Sequence, residues 1–420
     1  MIKTIAQMPR RRTQSSSANI LAQMSVWSFI YYLAFSLYVI ICFLYRTNFE
    51  VIFELPRHTF GDFVELIIIT LLVTKFLSQR ASFRGWFIAL TVVFVGFVSW
   101  RTSDEGWLFW LALFVVCSDE ISVRTLAGIT LTLVSVMTLV TIVCGLTGVI
   151  ENTISVRGGV TRQTLGFDHA NHLGIYLLLI CVSLSTLRFG KNPILDILLI
   201  LVTVAINVTV ANSRSSALLS TIQIVLLIIF YLVKSAYLRR ILSIIFVVVI
   251  ATLTIMSFYF MVSYDASNPI HRLLDSALSG RFYLANSYFK MQPLTLFGSN
   301  FSQFAPIYWE NGKPYLFTVD NAFCHLILRY GIVPAALFFM GFFVLMVKLI
   351  KERHWDTLLF GLTLMTCYSI GEHIGICVEC NFFLVAMGTE LLFGVTKPMR
   401  AECSARRGRR LRLIEAGNKP

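Results

Sequence analysis

Apolar residues run through this chain in long unbroken blocks, and the polar positions gather between them. The blocks after Arg240 to Ser263 and from Ser216 to Val233 carry no charge inside them. Each holds about twenty residues, the length that spans a hydrocarbon core of about 30 Å as a helix. The blocks are continuous rather than alternating, which excludes transmembrane β-strands and predicts helices. Length and flanking residues predict twelve spans: 25–45, 62–78, 84–101, 106–118, 124–150, 171–188, 193–211, 215–233, 240–263, 321–348, 356–374 and 378–396. The 106–118 block is short. The 321–348 block is long and contains Arg329, Gly331 and Pro334, so a break near Gly331 is predicted, because proline removes a backbone donor and clashes with the preceding turn. The predicted fold class is an all-α polytopic membrane protein.

The polar blocks orient the bundle. With both termini cytoplasmic, 24 of the 35 basic residues fall on the inner side, as short loops should distribute them. Residues 1–24, with Arg10-Arg11-Arg12, form a basic inner segment. The run from Val26 to Tyr45 is too long for the core of a cleaved signal, so it reads as the first span. Spans one to nine occupy 25–263, a large outer loop 264–320, the last three spans 321–396, and a basic inner tail 397–420. The tail (Arg406, Arg407, Arg409, Arg410, Arg412) is placed to hold membrane lipids of anionic head group, or simply to anchor the topology. The outer face receives residues 151–171, 212–216 and the large loop.

That loop is the longest stretch that cannot sit in lipid. Asn268 ahead of Pro269 predicts a helix start, and Gly280 its end. A second helix is predicted from Arg281 to Met291, stopping before Pro293. Residues 297–319, with Gly298, Pro306, Asn311-Gly312 and Pro314, read as a flexible lid.

Composition agrees with lipid as the solvent. Of the 420 residues 57% are hydrophobic and only 14% charged, against about 25% in a soluble domain. A net charge of +13 would suggest nucleic acid in a soluble chain, but the topology accounts for it, and no nucleic-acid partner is predicted. The nine cysteines are scattered, mostly inside apolar blocks. Cys377-x-x-Cys380 stands alone, without the second pair a structural metal site uses.

An enzyme on the outer face has no ATP and must draw on a bond already in its substrate; a lipid-linked glycan pyrophosphate supplies one. Its displacement needs cations to neutralise the leaving group and a base for the attacking hydroxyl. Arginine suits the first task, because its planar fork binds phosphate oxygens in pairs and stays charged when partly buried. Arg157 and Arg162 lead into Asp168-His169-Ala170-Asn171-His172 at the mouth of the sixth span. There His169 and His172 are polar contacts for substrate, or else interfacial caps, with Asn171 as a helix cap. Asp168, His169 and His172 alone make an incomplete metal set, and no metal or other cofactor is predicted. Asn212-Ser213-Arg214-Ser215-Ser216 is a small-residue turn suited to close approach of an anion, or a turn whose arginine snorkels. Asp320-Asn321 opens the tenth span: Asp320 is a candidate base or a helix-start residue. Arg329, a charge within a span, is a functional candidate with Asp320, Glu372 or Glu379 as its expected partner.

In this order the pieces resemble the O-antigen polymerase and ligase superfamily of bacterial membrane glycosyltransferases. They are Gly166-Phe167-x-His169-x-Asn171, Asn212-Ser213-Arg214-Ser215, Ser279-Gly280-Arg281 with Leu296-Phe297-Gly298, and Asp320-Asn321 with Tyr330-Gly331-Ile332, over about residues 150–335. The resemblance implies metal-independent transfer from undecaprenyl-pyrophosphate-linked oligosaccharide outside the membrane, beside a flippase and a chain-length regulator. Ligases of this superfamily usually carry histidine before the last asparagine; Asp320 stands there instead, which favours a polymerase over a ligase. The implied roles are Arg214 and Arg281 on the pyrophosphate with Arg157 or Arg162 assisting, Asp320 as base, and His169 on sugar, with Asn171, His172, Asn321 and Arg329 as further substrate contacts. The competing class is a flippase or another twelve-span transporter. Against it, the largest loop follows span nine rather than the middle, and few charges line the spans.

Overall fold

The computed structural model describes residues 25–52, 57–79, 81–157, 159–300, 307–310, 313–316, 319–355 and 357–392. The basic segments 1–24 and 397–420 lie outside the described residues. The chain is an all-α, multi-pass membrane protein. In order it forms α1 (Val26–Leu44), α2 (Asp62–Leu77), α3 (Phe83–Ser103), α4 (Trp107–Val116), α5 (Val123–Leu146), the hairpin β1–β2 (Ile154–Arg157, Val160–Gln163), α6 (Ala170–Arg188), α7 (Ile194–Thr209), α8 (Arg214–Leu232) and α9 (Ala236–Ser263). Then come α10 (Pro269–Ala277), α11 (Arg281–Met291), the hairpin β3–β4 (Ile307–Glu310, Lys313–Leu316), α12 (Ile332–Glu352) and α13 (Met365–Gly371). Seven of these helices (α1, α3, α5, α6, α8, α9 and α12) are long and apolar enough to cross a membrane.

The boundaries follow from local chemistry. Ser25, Ser82, Ser122 and Ser235 cap α1, α3, α5 and α9, each hydroxyl accepting an N–H three residues on. α5 and α9 turn Leu139, Val143, Val248 and Ile255 outward, where lipid rather than water meets them. α6 is the innermost span, with Leu173, Ile175, Leu178, Leu179 and Val182 fully buried. Lipid is as apolar as these side chains, so helix association rests on close packing and polar bonds between helices, such as Gln223 donating to Ser185 at 2.9 Å.

Several expectations change. The blocks 62–78, 106–118 and 193–211 fold as α-helices of 16, 10 and 16 residues, shorter than the seven, the first preceded directly by a π-helical turn at Arg57–Gly61. The 321–348 block is a helical turn (Ala322–His325), a widened π turn (Leu326–Tyr330) and α12, broken at Gly331 as predicted. Pro334 sits in the first turn of α12, where its missing N–H costs nothing. The break is made instead by Gly331 at φ +95°. There the Leu296-Phe297-Gly298 segment lies backbone against backbone on Tyr330-Gly331, with Val333 N–H donating to Leu296 at 3.0 Å and Ser299 N–H to Arg329 at 3.0 Å. A β-carbon on Gly298 would collide with the Arg329 carbonyl. The 356–374 block ends as helix at Gly371, which leaves Glu372 beyond it. Among the described residues the 378–396 block is helical from Phe382 to Leu392, wound as 3-10, α and π turns in succession; it starts late because Glu379, Cys380 and Asn381 are tied to Arg46 and Gly375.

In the large loop, α10 starts at the Asn268 cap with Pro269 first, and α11 runs over Arg281–Met291, both as predicted. The stretch expected as a lid begins with the Phe297-Gly298 contact and contains the β3–β4 hairpin; 301–306, 311–312 and 317–318 lie outside the described residues.

Candidate functional site

Arg281 is held from both sides of a tight corner. Gly280, at φ +86°, turns the chain out of α10 and into α11. α11 has no cap of its own, and the Asp275 carboxylate of the preceding helix supplies one, accepting from Phe282 N–H at 2.8 Å and Tyr283 N–H at 3.1 Å. Arg281 is therefore the first residue of a fixed helix, with its side chain only 8% exposed.

Its guanidinium joins four segments. Nε donates to the Gly371 carbonyl and lies 3.8 Å from Asp320 Oδ2. Nη1 donates to the Leu278 carbonyl at 2.8 Å, and Nη2 to Glu372 Oε1 at 3.1 Å. The same Glu372 oxygen accepts from Asn171 Nδ2 at 2.5 Å, and Asn171 Oδ1 accepts from Arg162 Nη2 at 2.8 Å. Arg162, in β2, is buried and also donates Nε to the Ala211 carbonyl at 3.0 Å. An arginine has five N–H groups, so among the described residues Arg281 retains one on each terminal nitrogen.

The 212–216 turn closes the group. A β-carbon on Gly174 would lie 2.6 Å from Ser213 Oγ and 2.7 Å from Ser216 Oγ, so glycine is what lets the turn seat on α6. A β-carbon on Gly371 would lie 3.1 Å from Ser215 Oγ and 3.9 Å from Arg281 Cζ. Arg214, next to Ser215, opens α8 and is exposed.

Glu372 and Asp320 share one guanidinium on unequal terms. The Asp320 side chain is 30% exposed and that of Glu372 12%. Burial, and then the Asp320 charge, push the Glu372 carboxyl up; Arg281 and Asn171 only partly offset this. Asp320 is thus the more exposed of the two carboxylates, and Glu372 the one committed to holding Arg281.

Other predicted residues fall around this centre. His169, not Asn171, caps α6, its Nδ1 accepting Asn171 N–H at 3.2 Å. Asn171 is the second residue of the helix, two on from the cap, which leaves its amide to bridge Arg162 and Glu372. His172 pairs with Asp168 at 2.5 Å. Burial raises the Asp168 carboxyl, but the bond and charge of His172 outweigh it and hold it below the usual range. Asn321 is fully buried: its Oδ1 caps the Ala322–His325 turn at Phe323 N–H (3.0 Å) and Cys324 N–H (3.3 Å), and its amide donates to Ser257 at 2.9 Å. Arg157 ends β1, and its side chain lies outside the described residues.

Among the described residues the ion-pair partner of Arg329 is not one of those expected. Its Nε meets Glu105 Oε2 at 2.9 Å, in the link between α3 and α4, and His325 Nε2 meets the same oxygen at 3.0 Å. Trp107 stacks on His373 at 4.9 Å between ring centres, and His373 on His325 at 5.2 Å. Burial pushes Glu105 up, but His325 and Arg329 outweigh it and hold it down at about 2. Burial, with His325 beside it, pushes His373 down to about 3 and keeps it neutral. A third group ties the chain ends together: Arg46 donates to Glu379 at 2.6 Å and to Cys380 Sγ at 3.2 Å, so the Glu372–Asn381 turn is clamped at its far end.

Glu105, His325, His373 and Arg46 were not singled out by sequence reasoning, and Glu372 entered only as one expected partner of Arg329. A readable signal existed for Glu372, His325 and His373, as ionisable residues inside predicted spans. No family model, curated protein or solved structure matches the chain.

Proposed function

We propose that the protein is a polysaccharide polymerase of the bacterial cytoplasmic membrane. It moves a growing glycan from undecaprenyl pyrophosphate onto the next lipid-linked repeat unit on the outer face, within a twelve-span bundle whose termini are both cytoplasmic. The observation that carries this reading is convergence. Asn171, Ser215, Arg281 and Asp320 come from the four separate motif segments, and they meet around Gly371-Glu372.

In this reading the acceptor hydroxyl attacks the anomeric carbon as the bond from that carbon to the pyrophosphate oxygen breaks. Asp320, the more exposed carboxylate, takes the hydroxyl proton. The remaining N–H groups of Arg281, with Arg214 exposed at the start of α8, neutralise the departing pyrophosphate. Glu372 and the Asn171–Arg162 pair orient Arg281, so that it meets charge as it develops without first reorganising.

The test is glycan analysis of a deletion strain complemented with Arg281→Ala or Asp320→Ala at matched membrane levels. The expected result is loss of long chains while single repeat units still reach the surface acceptor. Loss of all surface attachment would point to a ligase instead, and wild-type chains from both variants would refute the site.

A further inference from the structure

At the end of the bundle opposite Arg281, α6, α7, α8 and α9 finish or begin around one small cleft. Its walls bring together Arg188 from the end of α6, Lys191 from the next link, Lys234 after α8 and Arg239 in the first turn of α9, against one carboxylate, Asp196. That acid is already used, since Arg188 Nε meets Asp196 Oδ2 at 3.1 Å. Arg239 donates Nε to the Val233 carbonyl at 2.7 Å and Nη2 to the Phe230 carbonyl at 2.8 Å, which spends no charge. Among the described residues neither Lys191 nor Lys234 has a carboxylate partner; Lys234 Nζ sits 4.4 Å from the centre of the Tyr231 ring. Three positive charges are thus left around a cleft of about 50 Å³. A water occupies at least 10–15 Å³ of such space, so the cleft has room for a tetrahedral anion of a few heavy atoms.

The other wall is apolar. Phe189, Leu227 and Phe230 close it, and from Tyr231 the outer face of α8 continues as an exposed apolar strip through Ile228, Val225 and Ile222. A free phosphate has no use for that strip. A phosphodiester carrying acyl chains has, because its chains lie along α8 while its charge enters the cleft.

We propose that this cleft is a binding site for the phosphate of an anionic phospholipid. It holds together the ends of four helices whose opposite ends carry Asn171, Ser215 and Arg162's partner Ala211. Basic pockets between spans recognise such head groups by charge at short range, at about fivefold in affinity for each Lys or Arg.

The experiment uses the full chain, purified and delipidated, in phosphatidylcholine nanodiscs with or without phosphatidylglycerol. Thermal unfolding and retained lipid by native mass spectrometry are the readouts. Wild-type protein is expected to keep one anionic lipid and to gain stability with phosphatidylglycerol, while millimolar inorganic phosphate has no effect. Lys191→Gln/Lys234→Gln, both exposed positions, is expected to bind roughly thirtyfold more weakly, from two lost charges. Lys191→Arg/Lys234→Arg is expected to restore binding. Undiminished retention by the Gln pair would overturn the proposal, and an equal gain from inorganic phosphate would overturn the lipid assignment.

Discussion

Removing the Glu372 side chain tests how the candidate site is held. In Glu372→Ala the Arg281 guanidinium, 8% exposed, keeps its charge but loses its closest carboxylate, and Asn171 loses its acceptor at 2.5 Å. Leaving one member of a buried ion pair behind costs about 3–5 kcal/mol. Asp320 at 3.8 Å from Nε compensates in part, so a loss near the lower end, about 3 kcal/mol, is expected. Arg281→Met leaves two neighbouring carboxylates, and Glu372, already pushed up by burial and by Asp320, relieves the strain by taking a proton. The double variant Arg281→Met/Glu372→Met removes both desolvated charges at once. It should therefore unfold less readily than Glu372→Ala, although it lacks the arginine. The assay is unfolding of the four proteins in mixed micelles with increasing denaturing detergent, alongside chain-length analysis in cells. All Arg281 variants should make no long chains, including the double variant that recovers stability. A double variant as unstable as the sum of the two singles would refute the view that the pair is a coupled, desolvated unit.

Three further outcomes follow from named contacts. Glu105 falls from an ordinary 4.5 to about 2, which corresponds to about 3 kcal/mol of stability that is complete above pH 4.5 and drains away as pH falls toward 2; acid-unfolding curves of Glu105→Gln should be flatter than wild type through that window. Asn321→Ala should cost about 1–2 kcal/mol through its lost cap, and Asn321→Ser should restore most of it, as read by thermal unfolding. Gly298→Ala puts a β-carbon against the Arg329 carbonyl at a φ of +96°, so a loss of at least about 2 kcal/mol and a sharp fall in membrane-inserted protein are expected; wild-type levels would show that the Leu296–Gly298 contact with Gly331 is loose.

Seven of the predicted spans became long helices because about twenty apolar residues in lipid have only one way to satisfy their backbone. The same local logic placed α10 and α11, since Asn268-Pro269, Gly280 and Pro293 act through neighbouring residues only. It was less exact at the C-terminal end. The block expected from residue 378 is helical only from Phe382, because Arg46, more than 300 residues away, binds Glu379 and Cys380 and holds the start of the block in a turn.

The candidate site divides in the same way. Sequence alone identified Arg281, Asp320, Asn171 and the 212–216 turn as polar groups stranded at helix mouths, where burial has a cost and ligands can reach. It could not assign partners, because a partner is set by which helix ends meet. Arg329 went to Glu105 and not to Asp320 or Glu372, for α3 and α4 turn at its side. Glu372, hidden within an apolar block, became the hinge of the network only once its helix ended at Gly371. Composition and local chemistry determined what each segment is. Tertiary packing decided which charges neutralise one another, because a desolvated charge takes the nearest opposite one whatever its distance along the chain.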